Sequence, residues 1–133
     1  MIPFRDIKPG DWVRVNNQGR VEDGKVTHVN MDEGQVGVRI PSDMIVYFEP
    51  ADVSGIPLDD EQLQKLRFEK EMMEEGFIKY KHGPFRLVIE KPEDFTHSKI
   101  WYREDKRQIT YPLMVHQLQN HYREMTNVEL TES

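Results

Sequence analysis

Turn-forming residues interrupt residues 1–55 so often that only short strands fit between them. Lys8-Pro9-Gly10, Asn16–Gly19, Asp23-Gly24, Asp32-Glu33-Gly34, Pro41-Ser42-Asp43 and Glu49-Pro50 each supply the backbone freedom or fixed φ that a reversal needs. The segments between them alternate apolar and polar residues with period two. Asp11–Val15 places Val13 and Val15 on one face. Gln35–Ile40 does the same with Val36, Val38 and Ile40, and Met44–Phe48 alternates again. The Val21–Asn30 stretch is expected to reverse at Asp23-Gly24, a good hairpin dipeptide. Four or five short strands at this spacing predict a small curled sheet.

Residues 56–133 read differently. Asp59 is a candidate N-cap with Gln62 three residues on, and Leu58 and Leu63 have hydrophobic-staple spacing. A helix is expected from 59 at least to Arg67, and as far as 75 with Gly76 as its C-terminal stop. Strands are expected within 77–110: Phe77–Lys81, Phe85–Glu90, Lys99–Arg103 and Gln108–Thr110. A second helix is expected over 112–125. Pro112 opens it, and Val115, Leu118, Tyr122 and Met125 form its apolar face. Val128–Leu130, in the tail 126–133, is expected to dock as an extended piece. No β-α-β alternation appears, so a doubly wound parallel sheet is not expected. The fold class is therefore α+β, with a 1–55 part and a 56–133 part. Each is too small to bury a large core alone, so the two are expected to pack as one unit.

The phrase Lys8–Val15, a Pro-Gly turn running into a strand with an aromatic, resembles the first strand of an SH3-like barrel, and the resemblance implies a small SH3-like β-barrel over residues 1–55. A second resemblance rests on Gly10-Asp11-Trp12-Val13, Ile56-Pro57-Leu58 and Val115-His116-Gln117-Leu118-Gln119. These resemble motifs of an uncharacterised family of small proteins from Bacteroides-type gut bacteria, often encoded near prophages and mobile elements. The pattern departs at Arg67, where that family usually has glycine before the phenylalanine. The resemblance implies a phage or mobile-element origin and no activity.

Composition removes several function classes. The chain has no cysteine, which excludes disulfides, thiol catalysis and cysteine-type zinc sites. It also favours a cytoplasmic location. No stretch approaches the ~20 apolar residues of a membrane span, and Met1–Asp6 does not read as a signal peptide. The net charge is −6, spread evenly: six basic and nine acidic residues in 1–55, twelve and fifteen in 56–133. Neither part is a basic module, so polyanion binding would need a locally basic stripe.

Candidate chemistry is sparse. His116 and His121 are five residues apart, about 140° around a helix, and do not converge as a metal pair. His28, His82 and His97 lie in a strand, a turn and a loop. The carboxylate pairs Asp59-Asp60, Glu74-Glu75, Glu93-Asp94 and Glu104-Asp105 sit at helix ends and turns, where acidic residues are ordinary. No serine lies in a nucleophile elbow, and no glycine-rich phosphate loop exists. No cofactor or metal is expected. The one suggestive constellation is Trp101-Tyr102-Arg103 with Lys106-Arg107, aromatics interleaved with cations. Trp12 and Arg14 form a similar pair. A packed hairpin with Glu104 and Asp105 at its tip is the plainer account of the first. The favoured reading is a non-enzymatic binding or adaptor protein with a protein partner. Nucleic-acid binding through the Trp101–Arg107 hairpin is the alternative, and a hydrolase using the histidines is a third. The oligomeric state is left open.

Overall fold

The computed structural model describes residues 2–130. The architecture is α+β: two five-stranded antiparallel sheets and two helices, in two compact units, one ending at Ile56 and one beginning at Pro57.

The first unit contains β1 (Trp12–Asn17), β2 (Arg20–Asn30), β3 (Gln35–Arg39), β4 (Ile45–Phe48) and β5 (Val53–Ser54), in sheet order β4-β3-β2-β1-β5. Gln18 and Gly19 both take positive φ, the geometry of a two-residue β1–β2 hairpin, and the Gly19 N–H donates to Asn16 Oδ1 (2.8 Å). One face buries Val13, Val15, Val26, Val36, Val38, Phe48 and Val53 with Ile2, Ile7 and Ile40.

Two expectations fail here. The sheet does not close into a barrel: β4 and β5 each pair on one side only, and β5 is two residues long. A bulge interrupts β2 between Val26 and His28, where Thr27 Oγ1 donates to the Gly37 carbonyl (3.1 Å). Asp23-Gly24 is also not a turn, because β2 runs through it unbroken. Asp23 is held flat against β1 by Arg14 (Nε–Oδ1 2.8 Å). Gly24 lies opposite Val13, and any Cβ there would sit 2.6 Å from the Arg39 carbonyl oxygen and 2.7 Å from Val38 Cγ1. The glycine serves close approach of backbone, not reversal.

In the second unit, α1 (Asp60–Lys65) starts as expected. The Gln62 N–H donates to Asp59 Oδ1 (2.8 Å), and Leu58 and Leu63 are buried. It stops far earlier than 75. Arg67 has φ 70°, its N–H donates to the Gln64 carbonyl (3.0 Å), and the Phe68 N–H donates to that of Leu63 (3.0 Å). These two bonds form a Schellman cap with Arg67 in the left-handed position that glycine usually fills. A Cβ-bearing residue there costs about 1 kcal/mol.

Past this turn the chain is β6 (Glu69–Met72), then β7 (Ile78–His82), β8 (Phe85–Ile89), β9 (Ser98–Tyr102) and β10 (Asp105–Ile109), in order β10-β9-β8-β7-β6. Lys70 Nζ reaches Asp60 (3.1 Å), and Glu71 binds both Lys81 (3.1 Å) and Lys79 (3.4 Å), pairs that only a strand can align. Asp60 also accepts from the Tyr80 hydroxyl (2.8 Å), which together with Lys70 holds its carboxyl below the ordinary range. Burial and that same carboxylate push the Tyr80 phenol up.

The second helix, α2 (Val115–Thr126), starts later than 112. Pro57 and Met114 form an isolated bridge and the Leu58 N–H donates to the Leu113 carbonyl (3.2 Å), so residues 112–114 stay extended. Val115, Leu118 and Tyr122 are buried and Met125 half-buried. Leu130 docks, its carbonyl accepting from Gln119 Nε2 (2.9 Å), whereas Val128 is exposed. Residues 131–133 of the expected tail lie outside the described residues.

The close approach at Gly24 is testable. Gly24→Ala forces Cβ into backbone and is expected to lower unfolding free energy by about 1–3 kcal/mol. Urea denaturation of the two proteins measures the difference.

Candidate nucleic-acid interface

Period-two alternation divides the second sheet cleanly. Ile78, Tyr80, Phe85, Leu87, Ile89 and Ile100 are buried on one face. The Tyr122 ring of α2 meets Phe85 there at 4.9 Å and His82 at 5.5 Å between centroids. The residues between them in sequence necessarily point the other way.

Strand register assembles those outward residues into two rows. Lys81 lies beside Arg86, Arg86 beside Trp101, and Trp101 beside Lys106. In the next row Lys79 lies beside Val88, Val88 beside Lys99, and Lys99 beside Gln108. Trp101 is 39% exposed, with Lys106 Nζ 5.0 Å from its ring centroid. Beside it a groove of about 210 Å³ is lined by Met73, Phe77, Val88, Trp101, Lys99 and Gln108 among others.

The charges on this face are unequal. Glu69 and Glu71 sit at its β6 side, Glu69 in register with Lys81, and Lys81 and then Lys79 hold the Glu71 carboxyl below the usual range. Glu90 lines the groove. Among the described residues no carboxylate lies within ion-pair distance of Arg86, Lys99, Arg103 or Lys106. The face thus carries a cation surplus around one exposed indole.

The six candidates from sequence separate. Trp101 and Lys106 share the open face. Arg103, in the β9–β10 turn at φ 57°, stacks its guanidinium 5.2 Å from the Tyr102 ring centroid. Arg107 is on the opposite face. It pairs with buried Ile100, and its Nη1 reaches His121 Nδ1 (2.8 Å) and Glu124 Oε1 (2.7 Å) of α2. The parity of β10 forces this, since Lys106 and Arg107 cannot face the same side. Trp12 and Arg14 belong to the first unit, where Trp12 is half-buried and Arg14 is bound to Asp23. Sequence reasoning missed Arg86, Lys99, Lys79 and Lys81. Alternation within Ile78–His82, Phe85–Ile89 and Ser98–Tyr102 marks each as outward. Only cross-strand register sets them beside Trp101.

The histidines do not meet. Among the described residues no three His, Asp or Glu side chains are placed to hold a metal ion. His121 is kept neutral, its value lowered by burial and then by Arg107, against the opposing pull of Glu124. Since guanidinium only donates, Nδ1 accepts and Nε2 carries the proton toward the Tyr111 hydroxyl (3.4 Å).

No protein-family model, curated protein or solved structure matches the chain.

The depressed His121 value has a stability consequence. An unfolded imidazole titrates near 6.5, so as pH falls the unfolded state takes up its proton first. The stabilisation from neutral His121 is complete above about 6.5 and is lost downward to the lower folded value. The urea midpoint is expected to fall between about pH 7 and pH 5.5, and less so in His121→Asn, whose amide oxygen still accepts from Arg107.

Proposed function

We propose that the chain is a non-enzymatic binding protein that docks single-stranded nucleic acid on the open face of its second sheet. The observation that carries this reading is an exposed indole among cations without carboxylate partners. Stacking on Trp101 would hold a base, and Arg86, Lys99 and Lys106 would meet phosphates. Lys106 over the ring is no obstacle: an exposed cation–π contact contributes about 0.5–1 kcal/mol, base stacking about 1–3. A net charge of −6 does not forbid the approach. At about 0.1 M salt the Debye length is ~10 Å, so carboxylates elsewhere are screened while the face cations act at contact. The face presents an exposed indole, on which the unstacked bases of a single strand can stack and the paired bases of a duplex cannot.

An adaptor role is the second reading. β4 favours it: Ile45–Phe48 is an uncharged edge strand with Ile45 43% and Tyr47 52% exposed, the kind of edge to which an extended peptide adds. An SH3-like kinship of the first unit, a mobile-element origin and a cytoplasmic location belong to the same proposal. Flanking phage or conjugation genes would support the origin.

Fluorescence anisotropy with a labelled single-stranded oligonucleotide tests the main reading. Binding should weaken with salt, with log K falling by about 0.7 per phosphate contact for each decade. Trp101→Ala should lose about 1–3 kcal/mol, roughly 5–150-fold, and Trp101→Phe less. No binding at low salt would falsify it.

A further inference from the structure

A carboxylate set among phosphate-binding cations repels the backbone those cations attract. Glu71 is offset by Lys81 and Lys79. Glu90 is not. It follows β8 directly, is exposed, lines the groove beside Trp101, and makes no ion pair among the described residues. Lys99 stands diagonally from it. Val88 is the register partner of Lys99, and Glu90 lies two residues beyond Val88. Strand rise and spacing set the two Cα positions about 8 Å apart.

The groove that these two residues share is otherwise apolar, lined by Met73, Phe77, Val88 and Trp101. At about 210 Å³ it is smaller than the ~300–1,000 Å³ pockets of drug-sized ligands, and it suits a single base. Stacking on an indole tolerates every base, so any preference must come from contacts to the base edge. Here the edge contacts are asymmetric. An ionised carboxylate only accepts and an ammonium only donates. Gln108 and His97, also at the groove, each offer a donor and an acceptor and do not discriminate.

We propose that the base held at Trp101 is guanine, seated in this groove with its N1–H and N2–H donating to Glu90 and its O6 or N7 accepting from Lys99. The assignment rests on the sheet-face reading above and gives that face a base preference. Guanine alone among the common bases sets two donors side by side, and its O6 and N7 are the atoms that lysine contacts in base readout. Adenine and cytosine offer one amino group next to a ring-nitrogen acceptor, which would face the carboxylate. Uracil and thymine flank a single N–H with two carbonyls. A site built around a donor pair discriminates against bases that lack it.

Fluorescence anisotropy with labelled thymidine hexamers, each carrying one internal guanine, inosine, adenine or cytosine, tests the assignment. The parent protein should bind the guanine hexamer about 5–150-fold more tightly than the adenine one. Inosine, which lacks the N2 amino group, should fall between them. Glu90→Gln should bring the guanine hexamer down to the level of the adenine one. Salt-dependent binding without a guanine preference overturns the guanine site and leaves the sheet-face reading standing. A guanine preference that survives in Glu90→Gln overturns the role of Glu90 and with it the proposal. No binding of any hexamer at low salt overturns both readings.

Discussion

Arg67 holds left-handed backbone, and the hydrogen bonds on either side of it end α1 after six residues. Much of the second unit follows from that stop. Had the helix run on to Gly76, Glu69–Met72 would not pair with β7, and the sheet would end at an edge carrying Lys79 and Lys81. Instead Glu71 comes to rest between those two lysines, and Lys70 reaches back to Asp60. The same turn buries Phe68 against Phe85 at 6.1 Å between ring centroids, edge to face. A local strain of about 1 kcal/mol is offset by one buried aromatic and a full cross-strand ladder.

The two faces of that sheet are made by one rule applied to five strands. Apolar residues at alternate positions bury themselves under α2. What remains on the other face is whatever the sequence placed between them. In β7, β8 and β9 those intervening residues are mostly Lys and Arg, with Trp101 and Val88 at the centre. No single strand is strongly basic, and the chain is acidic overall. The positive field exists only because antiparallel register stacks one or two cations from each strand side by side.

This explains what could be read in the sequence and what could not. The Asp59 cap, the Asn16–Gly19 reversal and the alternation of Gln35–Ile40 are local, and each formed where its residues indicated. The α1 terminus is open in the sequence between Arg67 and Gly76, because Arg67 is not a residue that advertises a left-handed cap, and the helix takes the earlier end. Gly24 misled because glycine after aspartate usually signals a hairpin. Its use here, avoiding the Arg39 carbonyl, depends on a strand fifteen residues away. Barrel closure failed for a related reason: turn spacing counts strands but does not say which edges meet. The interface was half visible. Trp101 and Lys106 could be named, but their neighbours Arg86 and Lys99 come from register, which pattern within one strand does not contain.

The fate of Arg107 shows how sharply parity decides composition of the site. Lys106 and Arg107 are adjacent and chemically alike, yet one lies over Trp101 and the other reaches under α2 to His121 and Glu124. A slip of β10 by one residue would exchange them and expose Ile109, which is buried opposite Ser98. Ile109 therefore anchors the strand by its apolar burial, and the Arg107 bonds to α2 hold the same register through charge. Both act on the covered face, and their product is the position of Lys106 on the open one. The placement of a cation at the candidate interface is thus fixed by residues that never touch it.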